Sequence, residues 1–290
     1  MKIGVSSYSF YRLVRNGTMK QIDVIRQAKE LGFDVLEFST LAVPEGRTLP
    51  DFAAELRREA AAAGIPLANY TIGADFLNGS GGDLEAEIAR VRREVDVAAV
   101  LGVPGMRHDA THGFAAGHAG PSDFAAALPR LVAGCRAVTE YAADKGIRTM
   151  VENHGYFCQD SERVERLVNG VAHANFGVLV DIGNFACADE PSDVAVGRLA
   201  RYAFHAHAKD FHSKSGEAPA PGEGWFVSRG GNFLRGAIIG HGDVPIVSCL
   251  RALQRAKYDG VLSVEFEGME DPILGVRVGQ ANLRRLLALA

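Results

Sequence analysis

What constrains this chain most is a rhythm. Strand-like stretches of five to nine residues alternate with helix-like stretches along its whole length. The strand-like stretches are "KIGVSS" (2–7), "DVLEF" (34–38), "IPLANYTIG" (65–73), "VPGMRH" (103–108), "IRTMVEN" (147–153), "FGVLVDIGN" (176–184), "YAFHAHAKD" (202–210) and "GVLSVEFEG" (260–268). Amphipathic helices are expected at 18–31, 51–63, 83–101, 122–145 and 161–171, with a short one near Val194 and a last one at 272–287. Gly64 ends the second of these and Gly146 the fourth, whose start carries the capping sequence "PSDF". Eight such repeats in 290 residues specify an α/β chain folded as one (β/α)8 barrel domain spanning 1–290. A doubly wound open sheet is the competitor, but no GxGxxG follows the first strand. One stretch breaks the rhythm. Residues 211–243, just after the seventh strand, hold eight glycines and the sole tryptophan, Trp225. A loop of that length is usually functional or disordered, and Trp225 with Phe226 favours a lid.

Composition narrows the function classes. The formal charge of −4 comes without any long run of Lys and Arg, so nucleic acid is not an expected partner. The longest apolar runs, such as "VDVAAVLGV", fall short of a membrane span, and "MKIGVSSYSF" enters a strand directly without a leader pattern. Cys135, Cys158, Cys187 and Cys249 are scattered and form no CxxC pair, which reads as incidental thiols in a reducing cytoplasm.

In barrels of this kind the chemistry sits where the strands end. Those ends are strongly polar here. The fifth delivers Glu152, Asn153 and His154; the sixth Asp181 and Asn184; the seventh His205, His207 and Lys209; the eighth Glu265 and Glu267. Glu37 ends the second, and Arg107, His108 and Asp109 end the fourth. The densest stretch is "FHAHAKDFH" (204–212), with three of the nine histidines. Strand alternation points His205 and His207 the same way. Carboxylates that converge in a buried place must be protonated, paired or metal-bound. Two glutamates, an aspartate and a histidine would suit Mn²⁺, Mg²⁺, Co²⁺ or Fe²⁺, with Zn²⁺ also open. The plainer alternative for each acid is a salt bridge at the rim.

At four of these strand ends the chain resembles the sugar phosphate isomerase/epimerase family, the barrels related to xylose isomerase. The matching stretches are "VENHG" (151–155), "VDIGN" (180–184), "HAKD" (207–210) and "KYDGVLSVEFEG" (257–268), with "EDPILGVRVG" leading into the last helix. The resemblance implies one divalent ion, Mn²⁺ foremost, held by Glu152, Asp181, His207 and Glu265. It implies that Glu152 and Glu265 are also the acid/base pair. The expected activity is isomerisation or epimerisation of a sugar or sugar phosphate by proton transfer through an enediolate. Loss of a β-hydroxyl from the same site would make a dehydratase or lyase on a keto-sugar or inosose, which is the alternative. His205 is expected one layer below His207, and Lys209, within the family's HxKD pattern, is expected at the substrate. Glu37, His108, His154 and Trp225 complete the expected substrate contacts. "SRGGN" (228–232) is a candidate contact for an anion. A DNA-repair endonuclease of the same barrel family would need a histidine where Asn184 stands. A small carbohydrate is thus the expected partner, with a homo-oligomer open.

Overall fold

The rhythm closes into a barrel. A computed structural model covers residues 1–290. Its strands are β1 (Lys2–Ser6), β2 (Val35–Phe38), β3 (Leu67–Ile72), β4 (Gly105–His108), β5 (Arg148–Glu152), β6 (Phe176–Asp181), β7 (Ala203–Ala208), β8 (Asp210–Lys214), β9 (Phe226–Val227), β10 (Phe233–Ala237) and β11 (Val261–Val264). Eight of them, β1 to β7 and β11, form a closed parallel barrel in which β11 pairs with both β7 and β1. The remaining three make a separate antiparallel sheet, in the order β8–β10–β9.

Parallel barrel strands are covered on both faces, so their sequences read as nearly continuous apolar runs. β6 "FGVLVD" is buried at all six positions. The helices lie outside, and side-chain oxygens cap them where the sequence offers one. Thr48 caps Leu49–Ala63, Asp83 caps Leu84–Leu101, Asp123 caps Phe124–Ala143, Asp160 caps Ser161–Val171 and Asp271 caps Pro272–Leu287. Each caps through a bond from a backbone N–H of the first turn, which would otherwise lack a partner. One apolar core joins the barrel strands to these helices. No helix is long and apolar enough to cross a membrane.

Several elements differ from those read along the chain, among them the last barrel strand, which stops at Val264, so that Glu265 and Glu267 follow it. The first outer helix starts at Asp23, not at residue 18. The seventh barrel strand stops at Ala208, and Asp210 already belongs to β8. A helix at Ile246–Arg255, unassigned by the sequence reading, supplies the missing crossover between β7 and β11. The irregular stretch 211–243 is also more ordered than a bare loop. It contains most of the antiparallel sheet, with Phe211 and Leu234 packed on Cys187 as a small core of its own. Asp210 ties its two ends together. Its Oδ2 accepts from the N–H groups of Gly240 at 2.8 Å and Gly242 at 2.9 Å, and its Oδ1 from those of Phe211 at 2.9 Å and Val244 at 3.2 Å.

Candidate functional site

Strand register assembles the site. Asp181 stands opposite His207 across the β6–β7 pair, and Ser263 stands opposite His207 on the other side. Two residues beyond Ser263, and so on the same side of the chain, comes Glu265. Glu152 ends β5, next to β6. One ligand atom from each of Glu152, Asp181, His207 and Glu265 falls within a 4.8 Å cluster, and all four residues are buried. His207 Nδ1 is 3.5 Å from Glu265 Oε1, 3.8 Å from Asp181 Oδ2 and 3.9 Å from Glu152 Oε1. One buried atom of this cluster, His207 Nδ1, has no hydrogen-bond partner, and Asp181 Oδ2 has only the Lys209 ammonium, 3.2 Å away. Buried polar atoms are almost always satisfied, so an imidazole nitrogen left free among three carboxylates calls for a ligand. Three carboxylates with one imidazole make a hard donor set suited to a divalent cation.

The remaining oxygens are held in place by the backbone and two cations. Asp181 Oδ1 accepts from the N–H groups of Gly183 at 2.8 Å and Asn184 at 3.0 Å. Gly183 is needed there, because a Cβ would lie 2.7 Å from the Lys209 carbonyl oxygen. Arg107 Nε stands 2.6 Å from Glu152 Oε2, and Lys209 Nζ stands 2.6 Å from Glu265 Oε2. Lys209 also approaches Asp181 at 3.2 Å and Glu267 at 3.3 Å. Asn184 bridges the two halves, donating to Glu152 Oε1 at 3.0 Å and accepting from Lys209 at 3.1 Å.

These neighbours pull the acids apart. Burial dominates at Glu152 and raises its carboxyl despite Arg107, with Glu265 adding to the rise. Burial would also raise Glu265, but Lys209 and His207 outweigh it and hold that carboxyl well below its usual range. Burial disfavours a charge on His207, yet Glu37 and Glu265 raise it well above the usual imidazole value.

The four clustered residues lie at one cavity of about 190 Å³, which Glu152, His207 and Glu265 line directly. Tyr8, Ser39, Thr40, Thr71, Arg107, His154, Lys209 and Glu267 supply most of the rest of its wall. Of the expected substrate contacts, His154 and Lys209 face this space. His154 Nδ1 is 2.9 Å from Asp109 Oδ1, and Asp109 in turn holds Arg107 at 2.7 Å.

Four expected contacts lie elsewhere. Glu37 is sealed beneath the cavity, where its oxygens meet His205 Nε2 at 2.7 Å and His207 Nε2 at 2.5 Å. It pairs with imidazoles and not with an arginine. His205 is in that same sealed layer, also bonded to Ser263 Oγ at 3.0 Å, and does not reach the cavity. His108 points away from the cavity into the layer between barrel and helices, near the rings of Phe76 and Phe176. Its neighbour Arg107 takes the inward position, as alternation along a strand requires. Trp225 packs between Lys214 and Arg235, each 5.4 Å from its ring, and neither it nor any other residue of 211–243 lines the cavity. In this structure that segment forms a side sheet and does not line the cavity.

Tyr8, Ser39, Thr40 and Thr71, in or next to the loops after β1, β2 and β3, were not singled out by the sequence. Only their positions mark them: Tyr8, Ser39 and Thr40 lie just past a strand end, and Thr71 is the next-to-last residue of β3. Burial, with Glu267 and Glu265 nearby, pushes the Tyr8 hydroxyl up to about 12.

The chain matches the family model of the xylose isomerase-like TIM barrel over residues 25–286. Among solved structures it is similar to a D-psicose 3-epimerase solved in the presence of D-fructose, at 20% identity and TM-score 0.74 over 99% of both chains. A D-psicose 3-epimerase from Clostridium cellulolyticum H10, solved with D-tagatose, gives 18% identity and TM-score 0.74 over 99% of both chains. A 3-keto-D-glucoside 4-epimerase from E. coli gives 15% identity and TM-score 0.69, over 98% of this chain and 99% of that one. At such identities the likeness establishes the fold. No curated protein sequence matches the chain.

Proposed function

Because the chain belongs to the xylose isomerase-like TIM barrel family, we propose that it is a divalent-metal-dependent sugar isomerase or epimerase. The observation that carries this reading is the Glu152–Asp181–His207–Glu265 cluster, with the buried His207 Nδ1 unpartnered among three carboxylates beside a polar cavity. The epimerases among the similar structures are consistent with it.

In this reading Glu152, Asp181, His207 Nδ1 and Glu265 hold the cation, with Mn²⁺ the preferred choice. The cation, when bound, polarises a sugar carbonyl and offsets the charge its oxygen gains as the neighbouring C–H loses its proton. The protein's own groups handle the proton. One of Glu152 and Glu265 removes it, and the other returns one. Return to the opposite face inverts that carbon; return to the neighbouring carbon shifts the carbonyl. Each glutamate has its own fixed cation, Arg107 for Glu152 and Lys209 for Glu265, which limits its freedom to swing away from the substrate. Glu37 accepts a hydrogen bond from His207 Nε2–H, which leaves the Nδ1 lone pair for the cation. Tyr8, Ser39, Thr40, Thr71 and His154 line the cavity, and in this reading they bind the sugar.

Deuterium wash-in tests the reading. Mn²⁺-loaded protein is incubated in D₂O with a panel of ketoses, aldoses and keto-sugars, and the products are read by NMR after the metal is removed. Deuterium at the carbon next to the carbonyl is expected, and Glu152→Gln should abolish it. No exchange across the panel, or full exchange by Glu152→Gln, would overturn the assignment. A product lacking a hydroxyl would identify the dehydratase branch instead.

A further inference from the structure

We propose that this site is built for an uncharged sugar and has no subsite for a phosphate group. The inference rests on the sugar isomerase or epimerase reading and narrows its substrate class. It follows from where the positive charges near the cavity are spent.

Four side chains that carry or can carry positive charge line the cavity: Arg107, His154, His207 and Lys209. Each already faces a carboxylate at close range. Arg107 holds Asp109 at 2.7 Å and Glu152 at 2.6 Å, and its Nη1 also donates to the Ile72 carbonyl at 3.1 Å. His154 holds Asp109 at 2.9 Å, and His207 holds Glu37 at 2.5 Å. Lys209 is shared by Glu265 at 2.6 Å, Asp181 at 3.2 Å and Glu267 at 3.3 Å. Six carboxylates therefore meet two permanent cations and two imidazoles around one space. A divalent ion in the cluster would still leave no net positive charge for a phosphate dianion to meet, and like charges brought together cost affinity.

The places where barrels usually bind phosphate point the same way. Those are the loops after the last two barrel strands, here β7 and β11. Past β11 the cavity wall is Glu265 and Glu267. Past β7, the glycine-containing turn at 228–232 is occupied by a carboxylate of the chain itself. Asp189 accepts from Ser228 Oγ at 2.6 Å, the Gly230 N–H at 2.5 Å and Asn232 Nδ2 at 2.8 Å. A Cβ at Gly230 would lie 2.6 Å from Asp189 Oδ2, so the turn is shaped around that internal anion. Arg229 is engaged as well, 2.8 Å from Asp160. The other polar residues of the wall are neutral. Tyr8, Ser39, Thr40 and Thr71 carry hydroxyls, a group that both donates and accepts, as sugar hydroxyls do.

The test uses matched pairs: D-fructose, D-psicose and D-tagatose, each with its 6-phosphate ester, on the Mn²⁺-loaded protein. Isothermal titration calorimetry reads binding, and deuterium wash-in reads chemistry on the same samples. The inference expects at least one free sugar to bind and its phosphate ester to bind at least 100-fold more weakly. Inorganic phosphate should not displace the bound sugar, and Glu267→Lys should improve ester binding at least 10-fold relative to the free sugar. An ester that binds as well as its free sugar overturns the inference, as does a panel in which no free sugar binds. The two readings fail differently. A free sugar that binds without exchanging its proton sinks the proton-transfer reading and leaves the substrate class intact. Exchange seen only with an ester does the reverse.

Discussion

Two polar clusters share His207, one on each side of its ring, and they differ in one respect that matters. Above the ring, Glu152, Asp181 and Glu265 face Nδ1; below it, Glu37 bridges Nε2 to His205. By composition either group, three residues below with His207 included and four above, could hold a metal. The lower cluster, however, is closed on itself. Glu37 spends one oxygen on each histidine, and His205 has Ser263 as a second partner. Burial would raise the Glu37 carboxyl, but the adjoining His207 and His205 outweigh it and keep it ionised well below the usual range. The upper cluster keeps His207 Nδ1 unpaired beside a cavity that Glu152 and Glu265 line. A site for a ligand is recognised by what is left unsatisfied, not by which residue types have gathered.

The largest test of this contrast is His207→Ala, which strikes both clusters at once. Metal affinity should fall by more than the roughly 10–100-fold that loss of an outer partner costs. Stability should drop by about 3 kcal/mol, because Glu37 loses one of its two compensating partners while still buried. Unchanged metal content by elemental analysis would break the comparison at its centre. Glu37→Gln is the sharper probe, since it alters only the lower cluster. It should keep the fold and weaken metal binding by about 10–100-fold through the orientation of His207. Full affinity in a calorimetric titration would reduce that lower cluster to a packing feature.

His108 shows what a buried imidazole does without a carboxylate partner. Burial lowers it to about 4, and its Nδ1 meets only the Asp109 carbonyl, at 2.8 Å. A histidine lowered on folding binds fewer protons folded than unfolded, so its contribution is complete above pH 6.5 and is lost as the pH falls toward 4. Between pH 6.5 and pH 5 that loss is about 2 kcal/mol. Urea unfolding of His108→Asn should show a correspondingly flatter slope over that interval; an identical slope would mean that the ring titrates normally. The smallest effect belongs to Ser263→Ala. It removes one hydrogen bond from the closed cluster, for about 1 kcal/mol of stability, and should leave metal affinity unchanged. A loss of metal binding in this variant would show that the two clusters are not separable.

Much of this was legible along the chain, for a physical reason. Strand alternation depends only on neighbours in sequence, so His205 and His207 could be placed on one side, and the strand-end acids Glu152, Asp181 and Glu265 on one face of the barrel. The same rule misleads when the starting residue is unknown. In "RHD" the histidine was the tempting substrate contact, but Arg107 is the residue that turns inward and His108 the one buried outside. The helix at 246–255 carried its own signal, with Ile246, Cys249, Leu250 and Leu253 at helical spacing, all buried in the structure. The glycines just before it hid that pattern. Trp225 had no local signal at all, because its position depends on strands pairing across the side sheet between residues far apart in sequence.

The clamp at Asp210 has an evolutionary side. Because one carboxylate draws residues 240–244 back to the end of β7, the barrel experiences everything between them as little more than a tight turn. Loop closure is then set by the clamp and depends only weakly on how much chain is enclosed. Such a segment can lengthen, shorten or change sequence while the strand and helix on either side stay in register. The clamp thus fixes where the side sheet leaves and rejoins the barrel, while Asp189 and Cys187 fix how it lies against it.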